Sequence, residues 1–268
     1  MALPQHLSYD IRFQQQVDNA RTFLLPFIEQ RLPLTANLRV MEIGCGEGGV
    51  LRPFAEKGAQ CLGVDLSASR IDRAIERMQP ELEAGRARFM AKNVYDEDFL
   101  AEFQGQFDLI LLKDTIEHIP NQEAFIPYLK NFLKPEGHIF FGFPPWRMPF
   151  GGHQQICRNR FLSLLPYYHL LPRNLYRAIL RAGKESGPIC EELMDIKSTG
   201  ISIARFERIV AQSGLPIVER RLYLFNPIYR FKFGLQPREQ AAWVDQVPWL
   251  RDFITTAGWY LVKRNPSA

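Results

Sequence analysis

Cysteine is scarce in this chain, and the spacing of its cysteines argues against a disulfide framework and against a structural zinc site. The 268 residues contain four cysteines, Cys45, Cys61, Cys157 and Cys190, and no two of them have the C-x-x-C spacing of zinc sites or redox motifs. Disulfide frameworks belong to short secreted chains with far denser cysteine. The sequence therefore predicts a protein of a reducing compartment, and we expect no bound metal.

Long apolar runs are also missing. No window approaches the roughly 18 consecutive apolar residues that a membrane-spanning helix needs. The first residues, MALPQHLSYDIRF, lack a basic region followed by an apolar core, so no signal peptide is expected. These two absences predict a cytoplasmic protein.

The chain has little excess charge of either sign. Its net charge is +4, from 33 basic and 29 acidic residues, which is too small for a dedicated nucleic-acid binder. A hydrophobic share of 46% is ordinary for a globular protein. The composition favours a small-molecule partner over a nucleic acid and leaves the oligomeric state open.

Short apolar runs alternate with helix-patterned segments over the first half of the chain. The predicted strands are Leu38–Ile43, Gln60–Val64, Ala87–Ala91, Phe107–Leu112 and His138–Phe143. The predicted helices include Asp10–Arg31, with a kink or a second segment at Pro26, Gly48–Lys57, Asp96–Phe103 and Gln122–Leu133. This alternation predicts a parallel sheet with right-handed crossovers.

The alternation stops at Pro144 and resumes after Lys197 with a helix, Ile201–Ser213, and two strands, Ile217–Phe225 and Phe253–Lys263. Two strands with no helix between them predict an antiparallel strand at the sheet edge. We expect an α/β, Rossmann-like, doubly wound, seven-stranded and mostly parallel sheet with a helical lid. One domain, 1–268, would have its core at 36–143 and 198–263, a lid insertion at 144–197 and a second insertion at 226–252. Both insertions should cover the carboxyl ends of the strands, where ligands bind in such sheets.

The segment LRVMEIGCGEGG, residues 38–49, predicts a strand, a glycine turn and a helix start that suits a nucleotide-like ligand. Gly44, Gly46 and Gly49 fit the dinucleotide pattern G-x-G-x-x-G, with Asp65 about twenty residues further on. Glu42 argues against that interpretation, because an acid at a strand end needs a cationic partner. Two further features argue against a dinucleotide site. Asn93 follows the third strand, where it could contact an adenine edge, and the last part of the chain lacks a second mononucleotide-binding half. An NAD-dependent oxidoreductase remains the alternative, as does a non-catalytic binding protein.

Five segments in order resemble the class I S-adenosylmethionine-dependent methyltransferases, most closely the small-molecule and quinone-biosynthesis-type branch. They are VMEIGCGEGG (40–49), GVDLS (63–67), KNV (92–94), FDLILLKDTIEHIP (107–120) and FLKPEGHIFF (132–141). The resemblance implies an enzyme with S-adenosylmethionine as cofactor and S-adenosylhomocysteine as product.

The resemblance also implies a cofactor site. Glu42 and the loop would hold the methionine moiety, and Asp65 would accept hydrogen bonds from the ribose hydroxyls. Leu66 would pack on the adenine, with Asn93 and the Val94 backbone at its edge. The implied set is Glu42, Gly44, Cys45, Gly46, Gly48, Asp65, Leu66, Asn93, Val94, Lys113, Asp114 and His118. The family more often has aspartate at position 93 and a small or apolar residue at position 113.

A candidate catalytic histidine lies in PFGGHQQ, residues 149–155. Related methyltransferases often carry a histidine after the fifth strand, and imidazole titrates near neutral pH. Two glycines before His153 would let the backbone approach a ligand. We predict that His153 is a general base or a substrate ligand, the alternative being a loop histidine bonded to backbone. Glu117 and His118 could take part in catalysis or could be structural, as an acid at a helix start and a packed imidazole, and the sequence favours neither interpretation.

The lid insertion predicts the kind of acceptor. Between Arg147 and Lys184 the chain has seven basic residues and no acid, interleaved with aromatic and aliphatic side chains. Such a segment suits a small or lipid-like substrate that can be anionic, or peripheral contact with an anionic membrane surface. The plain alternative is a lid with an apolar underside and solvated arginines. We expect methyl transfer to oxygen rather than to carbon or nitrogen.

Overall fold

An eight-stranded sheet forms the centre of the structure, a computed structural model that describes residues 9–265. The strands are β1 Arg39–Ile43, β2 Gln60–Asp65, β3 Ala87–Ala91, β4 Phe107–Lys113, β5 Leu133–Phe143, β6 Ile217–Phe225, β7 Arg238–Glu239 and β8 Ala257–Lys263. Their order is β3-β2-β1-β4-β5-β8-β6-β7. The first five are parallel, and β8 runs antiparallel to both β5 and β6. The predicted doubly wound sheet with an antiparallel edge is confirmed.

The predicted number of strands, seven, was wrong by one. The additional strand, β7, has only two residues and pairs with Tyr223 and Phe225 at the edge of the sheet. Two residues are too few to leave an alternating pattern in a sequence. The last strand also begins at Ala257 rather than Phe253, because Pro248–Ile254 is helical and has proline in its first turn.

Fourteen α-helices surround the sheet in the described part of the chain. They are α1 Tyr9–Asn19, α2 Leu25–Glu29, α3 Arg52–Glu56, α4 Ala68–Arg77, α5 Gln79–Glu83, α6 Glu97–Phe103, α7 Gln122–Tyr128, α8 Arg160–Leu164, α9 Arg173–Ala182, α10 Gly187–Thr199, α11 Ile203–Gln212, α12 Tyr229–Phe233, α13 Ala242–Asp245 and α14 Pro248–Ile254. None of these helices within residues 9–265 has the length and apolarity needed to cross a membrane.

Residues 1–8 and 266–268 lie outside the described residues. They include most of the stretch in which no signal peptide is expected, and both ends of the predicted 1–268 domain.

Three predicted helices have different bounds in the structure. A π-helical turn, Ala20–Leu24, separates α1 from α2, which has Pro26 in its first turn, where its missing N–H is tolerated. The helix predicted from Gly48 begins only at Arg52, because Gly48 has a φ of +80° and belongs to the turn. The helix predicted over Gln122–Leu133 ends earlier, and β5 begins at Leu133, which pairs with Phe107.

Strand β4 shows why the sheet is buried on both faces. Leu109 and Leu111 point to one face, and Ile110 and Leu112 point to the other. The first face packs against α1 to α4, and the second against α6, α7 and α11. A strand enclosed on both sides has to be continuously apolar, which is why this segment lacks alternation.

The lid, residues 144–197, has an apolar cluster of its own, which includes Leu162, Tyr176 and Leu180. Its last helix lies beside the end of β4, because the Thr199 hydroxyl donates to the Glu117 carbonyl at 2.7 Å. The second insertion reaches the same end of the sheet, since the charges of Lys232 on α12 and Asp114 after β4 act on each other. Both insertions therefore lie at the carboxyl ends of the parallel strands.

Candidate active site

The glycine loop after β1 is pressed against its neighbours. The N–H groups of Gly44 and Cys45 both donate to the Val64 carbonyl, at 2.7 and 3.1 Å. Gly44 has a φ of +73°, and a Cβ there would lie 2.7 Å from the Thr115 side chain. A larger residue fits neither the backbone conformation nor the space, so the loop requires glycine at this position.

Asp65 ends β2 beside this loop. Its Oδ2 accepts from the Gly46 N–H at 3.0 Å, and its Oδ1 accepts from the Ser67 N–H at 2.9 Å. A carboxylate has about four lone-pair sites, so each oxygen retains one for a ligand hydroxyl. Leu66 follows with 77% of its side chain exposed. The end of β2 thus presents an acceptor for hydroxyl groups next to an apolar surface.

Glu42 is a buried acid without a hydrogen-bond partner for one of its oxygens. It is 2% exposed, and its Oε2 has no partner. Burial raises the pKa of Glu42 well above its usual value, although Lys113 opposes that shift. An unpartnered buried carboxyl group is costly, and a cationic ligand group would remove that cost.

Lys113 and Asp114 form an ion pair where β4 ends. Asp114 has a φ of +53°, and its N–H donates to the Gly142 carbonyl at 2.7 Å. Desolvation opposes ionisation of Asp114, but Lys113, with smaller contributions from Lys232 and His153, lowers the pKa of this carboxyl group. The Lys113 ammonium is therefore held by its neighbour in the chain.

Asn93 stabilises its own loop. Its Oδ1 accepts from the Tyr95 N–H at 3.1 Å, and its N–H donates to Asp96 Oδ2 at 3.3 Å. Val94 is buried, and its carbonyl accepts from the Tyr128 hydroxyl at 2.8 Å. Asn93 thus stabilises its own turn, whereas Asp96 is the N-cap residue of α6. The exposed Asn93 side chain keeps a second lone pair for an adenine edge.

Glu117, His118 and His153 come together between the end of β4 and the start of the lid. The two imidazole rings stack with their centroids 5.1 Å apart and an interplanar angle of 26°. One potential metal-binding atom from each of the three residues lies within 4.8 Å of the others. Glu117 is 2% exposed, and neither of its carboxylate oxygens has a hydrogen-bond partner.

Burial determines the ionisation of this cluster. It raises the pKa of Glu117 well above its usual value, and Asp114 adds to that rise. Desolvation by the surrounding residues lowers the pKa of His118, although its side chain is exposed on one side, and lowers the pKa of half-buried His153 to about 4, with His118 adding to the effect. Both shifts favour the neutral imidazole.

Gly151 and Gly152, which precede His153, are required by packing within the protein and not by the predicted approach of a ligand to the backbone. A Cβ on Gly151 would lie 2.3 Å from the Trp146 carbonyl, and one on Gly152 would lie 2.4 Å from the His169 side chain. These glycines allow the loop to pack on the lid itself. His153 follows at a φ of +54°, so close packing and a left-handed turn together fix its position.

Two contributions to the site were missed from the sequence. Lys232 and Tyr229, both on the short helix α12, interact electrostatically with Asp114. Glu47 in the glycine loop is buried and pairs with Arg73 at 3.2 Å and with Arg12 at 3.5 Å. Glu47 lies within the glycine motif, but its ion pairs with Arg12 and Arg73 join segments that are distant in the sequence. Lys232 and Tyr229 belong to no motif, so no signal in the sequence pointed to them.

A family model described as a methyltransferase domain matches residues 13–169, more than half of the chain. The chain belongs to this methyltransferase family. The match covers the glycine loop, Asp65, the Lys113–His118 segment and His153.

Curated relatives agree with this assignment. Over 117 residues the chain is 30% identical to the ubiquinone biosynthesis O-methyltransferase of Leptothrix cholodnii, with 43% of this chain and 48% of the relative covered. The enzyme of that name from Chromobacterium violaceum is 32% identical over 117 residues, which are 44% of this chain and 48% of the relative. The chain thus spans about half the length of the curated relatives it matches.

Solved structures establish the fold. Geranyl diphosphate C-methyltransferase from Streptomyces coelicolor A3(2) superimposes with a TM-score of 0.56 at 16% identity, over 92% of this chain and 80% of that one. A SAM-dependent methyltransferase from Aquifex aeolicus gives 0.52 at 12% identity, over 98% and 94%. The architecture is the Rossmann-like fold of class I methyltransferases.

S-Adenosylmethionine is the cofactor of this methyltransferase family, and the residues present fit it. The unpartnered Glu42 carboxyl group suits the ammonium of the methionine moiety, and the free lone pairs of Asp65 suit ribose hydroxyls. Gly46 has open space where a Cβ would stand, so the loop leaves room for a ligand at this position. These features do not depend on the comparisons.

Proposed function

We propose that this chain transfers the methyl group of S-adenosylmethionine to oxygen of a small or lipid-like acceptor that can be anionic. The observation that carries the proposal is the convergence of Glu42, the glycine loop and Asp65 at the carboxyl ends of β1 and β2. Open α/β sheets bind their ligands at this edge. The donor geometry and the family membership support the same reaction.

Each residue around the methyl donor, S-adenosylmethionine, has one proposed role. Glu42 would hold the ammonium group, and the loop residues Gly44, Cys45, Gly46 and Gly48 would line the methionine. Asp65 would hold the ribose, since charge-assisted hydrogen bonds are about twice as strong as neutral ones.

Three further groups complete the donor site. Leu66 would cover the adenine, and Asn93 with the Val94 backbone would meet its edge. Lys113, Asp114 and His118 would close the site at the methionine end. The cofactor supplies an electrophilic methyl group, and the protein contributes mainly alignment with the nucleophile.

On the acceptor side, His153 is the proposed base or acceptor ligand. It lies near the start of the lid, stacked on His118 after β4. An oxygen nucleophile needs a group that assists loss of its proton. The curated relatives named above are O-methyltransferases, which favours oxygen as the methylated atom.

Ligand-dependent thermal unfolding tests the donor assignment. S-Adenosylhomocysteine at 100 times its Kd should stabilise the protein by about 2.7 kcal/mol through mass action. NAD at the same concentration should leave the unfolding temperature unchanged. Stabilisation by NAD and none by S-adenosylhomocysteine would establish the dinucleotide alternative instead. Release of S-adenosylhomocysteine on incubation with S-adenosylmethionine and a lipid extract would then identify the acceptor fraction.

The exposed surface of the lid supports the proposal of a lipid-like acceptor, which the protein would take from an anionic membrane surface. Phe161 and Leu164 on α8 are 71% and 65% exposed, and Leu175 on α9 is half-exposed. Arg173 and Arg177 share α9 with Leu175, as their spacing of four predicts. Exposed apolar groups beside arginines suit an interface between headgroups and acyl chains.

Vesicle co-sedimentation tests the lid surface. The protein should sediment with phosphatidylglycerol vesicles at low salt and not with phosphatidylcholine vesicles. A Phe161→Ser/Leu164→Ser double variant should lose this binding, whereas Ile75→Ser, which alters an exposed side chain on α4, should keep it. Equal sedimentation of all three proteins would show that Phe161 and Leu164 do not carry the binding, and no sedimentation of the wild type would leave the arginines as solvated groups.

A further inference from the structure

The side chains of Glu117, His118 and His153 form a cluster whose carboxylate is left unsatisfied by the protein. Glu117 is 2% exposed, yet both of its oxygens lack a hydrogen-bond partner. Native structures rarely leave a buried polar group unpaired, because its desolvation is then uncompensated. A ligand that takes the carboxylate oxygens would supply the missing interaction.

The Glu117 backbone is held firmly, so this arrangement is not a loose turn. Its carbonyl accepts from the Thr199 hydroxyl at 2.7 Å, and the Gln122 amide donates to the Ile116 carbonyl at 3.0 Å. Gln122 also donates to the Thr199 carbonyl. These hydrogen bonds fix the backbone that carries the buried carboxyl group.

The two imidazoles complete a compact donor set. The three donor atoms lie within 4.8 Å of one another. Tetrahedral binding at bond lengths of about 2.0–2.2 Å places the donor atoms about 3.3–3.6 Å apart. Small rotations of the rings therefore bring all three atoms onto one ion. The packed glycine pair and the left-handed turn hold His153 where this is possible.

We propose that Glu117, His118 and His153 bind one divalent transition-metal ion of the zinc, cobalt or manganese kind. Imidazole nitrogens suit these metals, whereas Mg²⁺ and Ca²⁺ prefer oxygen ligands. Two histidines and one carboxylate leave further coordination positions open. Among the described residues, this is the one group of at least three histidine, cysteine and acidic side chains close enough to hold a metal.

A cavity gives the ion a route to this cluster. It has a volume of about 350 Å³, opens onto His118 and is lined on the lid side by Glu191, Glu192 and Asp195. Acidic walls raise the local concentration of cations. The lid thus combines a basic outer surface on α8 and α9 with acidic residues on α10 that face the cluster.

The ion would have a role in the reaction, and this part rests on the proposed function. An acceptor hydroxyl bound at an open position would lose its proton to solvent more easily, because the ion stabilises the oxyanion. The oxygen would then form a bond to the methyl carbon as the carbon–sulfur bond breaks and sulfur keeps the electron pair. His153 would in that case hold the ion and not the acceptor proton.

Titration of the chelator-treated full chain with Co²⁺ tests the site without any turnover. One Co²⁺ should bind per chain with visible absorption bands, Zn²⁺ should displace it, and excess Mg²⁺ should not. Glu117→Gln, His118→Ala and His153→Ala should each weaken binding by at least about tenfold. His138→Gln should bind as the wild type does, because His138 lies in β5 opposite Leu109, at the other end of the strands.

Cooperative urea unfolding of every variant shows that it is folded, and asparagine replaces any alanine variant that is not. Absence of stoichiometric Co²⁺, or binding unchanged by Glu117→Gln and His153→Ala, would overturn the metal site. The two proposals fail separately. Co²⁺ binding without stabilisation by S-adenosylhomocysteine removes the donor assignment alone, and the reverse result removes the metal alone.

Discussion

At the scale of single residues, two buried acids carry most of the functional information. Glu42 and Glu117 are each 2% exposed and have carboxyl oxygens without hydrogen-bond partners. Asp65, by contrast, accepts hydrogen bonds from the N–H groups of Gly46 and Ser67. Unsatisfied acids at a sheet edge where ligands bind indicate that ligands complete them.

Replacement of Glu42 by glutamine should affect stability and binding in opposite directions. The folded-state pKa of Glu42 is raised by burial, with Lys113 opposing and Asp65 and Asp114 adding to the shift. A raised pKa favours folding below the unfolded-state value, and this contribution is lost as pH rises towards the folded-state value. The apo Glu42→Gln variant should therefore be more stable than the wild type at pH 8 and similar to it at pH 4.

Binding of S-adenosylmethionine to the same variant should weaken roughly tenfold to a hundredfold, because hydrogen bonds to charged groups contribute about 1.5–3 kcal/mol. Urea unfolding at both pH values and calorimetric titration of the ligand measure the two effects. A variant with unchanged affinity would show that Glu42 does not hold the ammonium group.

Asp65→Asn tests the ribose assignment. The amide keeps one acceptor oxygen but loses the charge, so affinity for S-adenosylhomocysteine should fall roughly tenfold to a hundredfold. Asp72→Asn, on the exposed side of α4, is the matched control and should bind normally. Equal affinity of the two variants would contradict a direct role of Asp65.

At the scale of elements, the glycine loop is a strand end, a left-handed turn and a helix start. Gly44, Gly46 and Gly48 all have positive φ, but their surroundings differ. A Cβ on Gly48 would lie 2.9 Å from the Phe89 ring, whereas one on Gly46 would have no neighbour within 4 Å. Glycine is therefore required at position 48 by both the positive φ and the close packing, and at position 46 by the positive φ alone.

Gly48→Ala should destabilise the protein more than Gly46→Ala does. Each change costs about 1–3 kcal/mol for a left-handed non-glycine residue, and Gly48→Ala adds the overlap with Phe89. Urea unfolding midpoints of the two variants give the difference directly. Equal midpoints would mean that Phe89 moves away at no cost.

At the scale of the whole molecule, the sheet and the lid are separate apolar units. Two clusters cover the two faces of the sheet, and a third lies within the lid. The residues proposed to hold the donor lie at the end of the sheet, and those proposed to face the acceptor include part of the lid. A defect in the lid core should therefore separate acceptor turnover from cofactor binding.

Leu180→Ala removes a fully buried side chain of the lid cluster, at a cost of about 2–5 kcal/mol. We expect faster limited proteolysis within 144–197 and slower methyl transfer, with affinity for S-adenosylhomocysteine within about twofold of the wild type. Ile110→Ala in the sheet core is the comparison, and it should reduce both stability and affinity. Loss of affinity in Leu180→Ala would show that the lid supports the donor site as well.

Much of the donor half could be predicted from the sequence because it is local. The glycine loop, Asp65 and the segment after β4 each end or follow a strand, and parallel strands bring their carboxyl ends to one edge. The two-residue strand β7 and the helix over Pro248–Ile254 were missed, because short elements in an insertion leave no period to detect.

The sequence by itself determined the parallel sheet and the glycine loop after its first strand, because these depend on periodicity and on backbone conformations that few residues can adopt. Only the tertiary structure decided that His153 stacks on His118 beside an unpartnered Glu117. Residues 118 and 153 are brought together by the packing of the lid on the end of β4, and no local pattern encodes that contact.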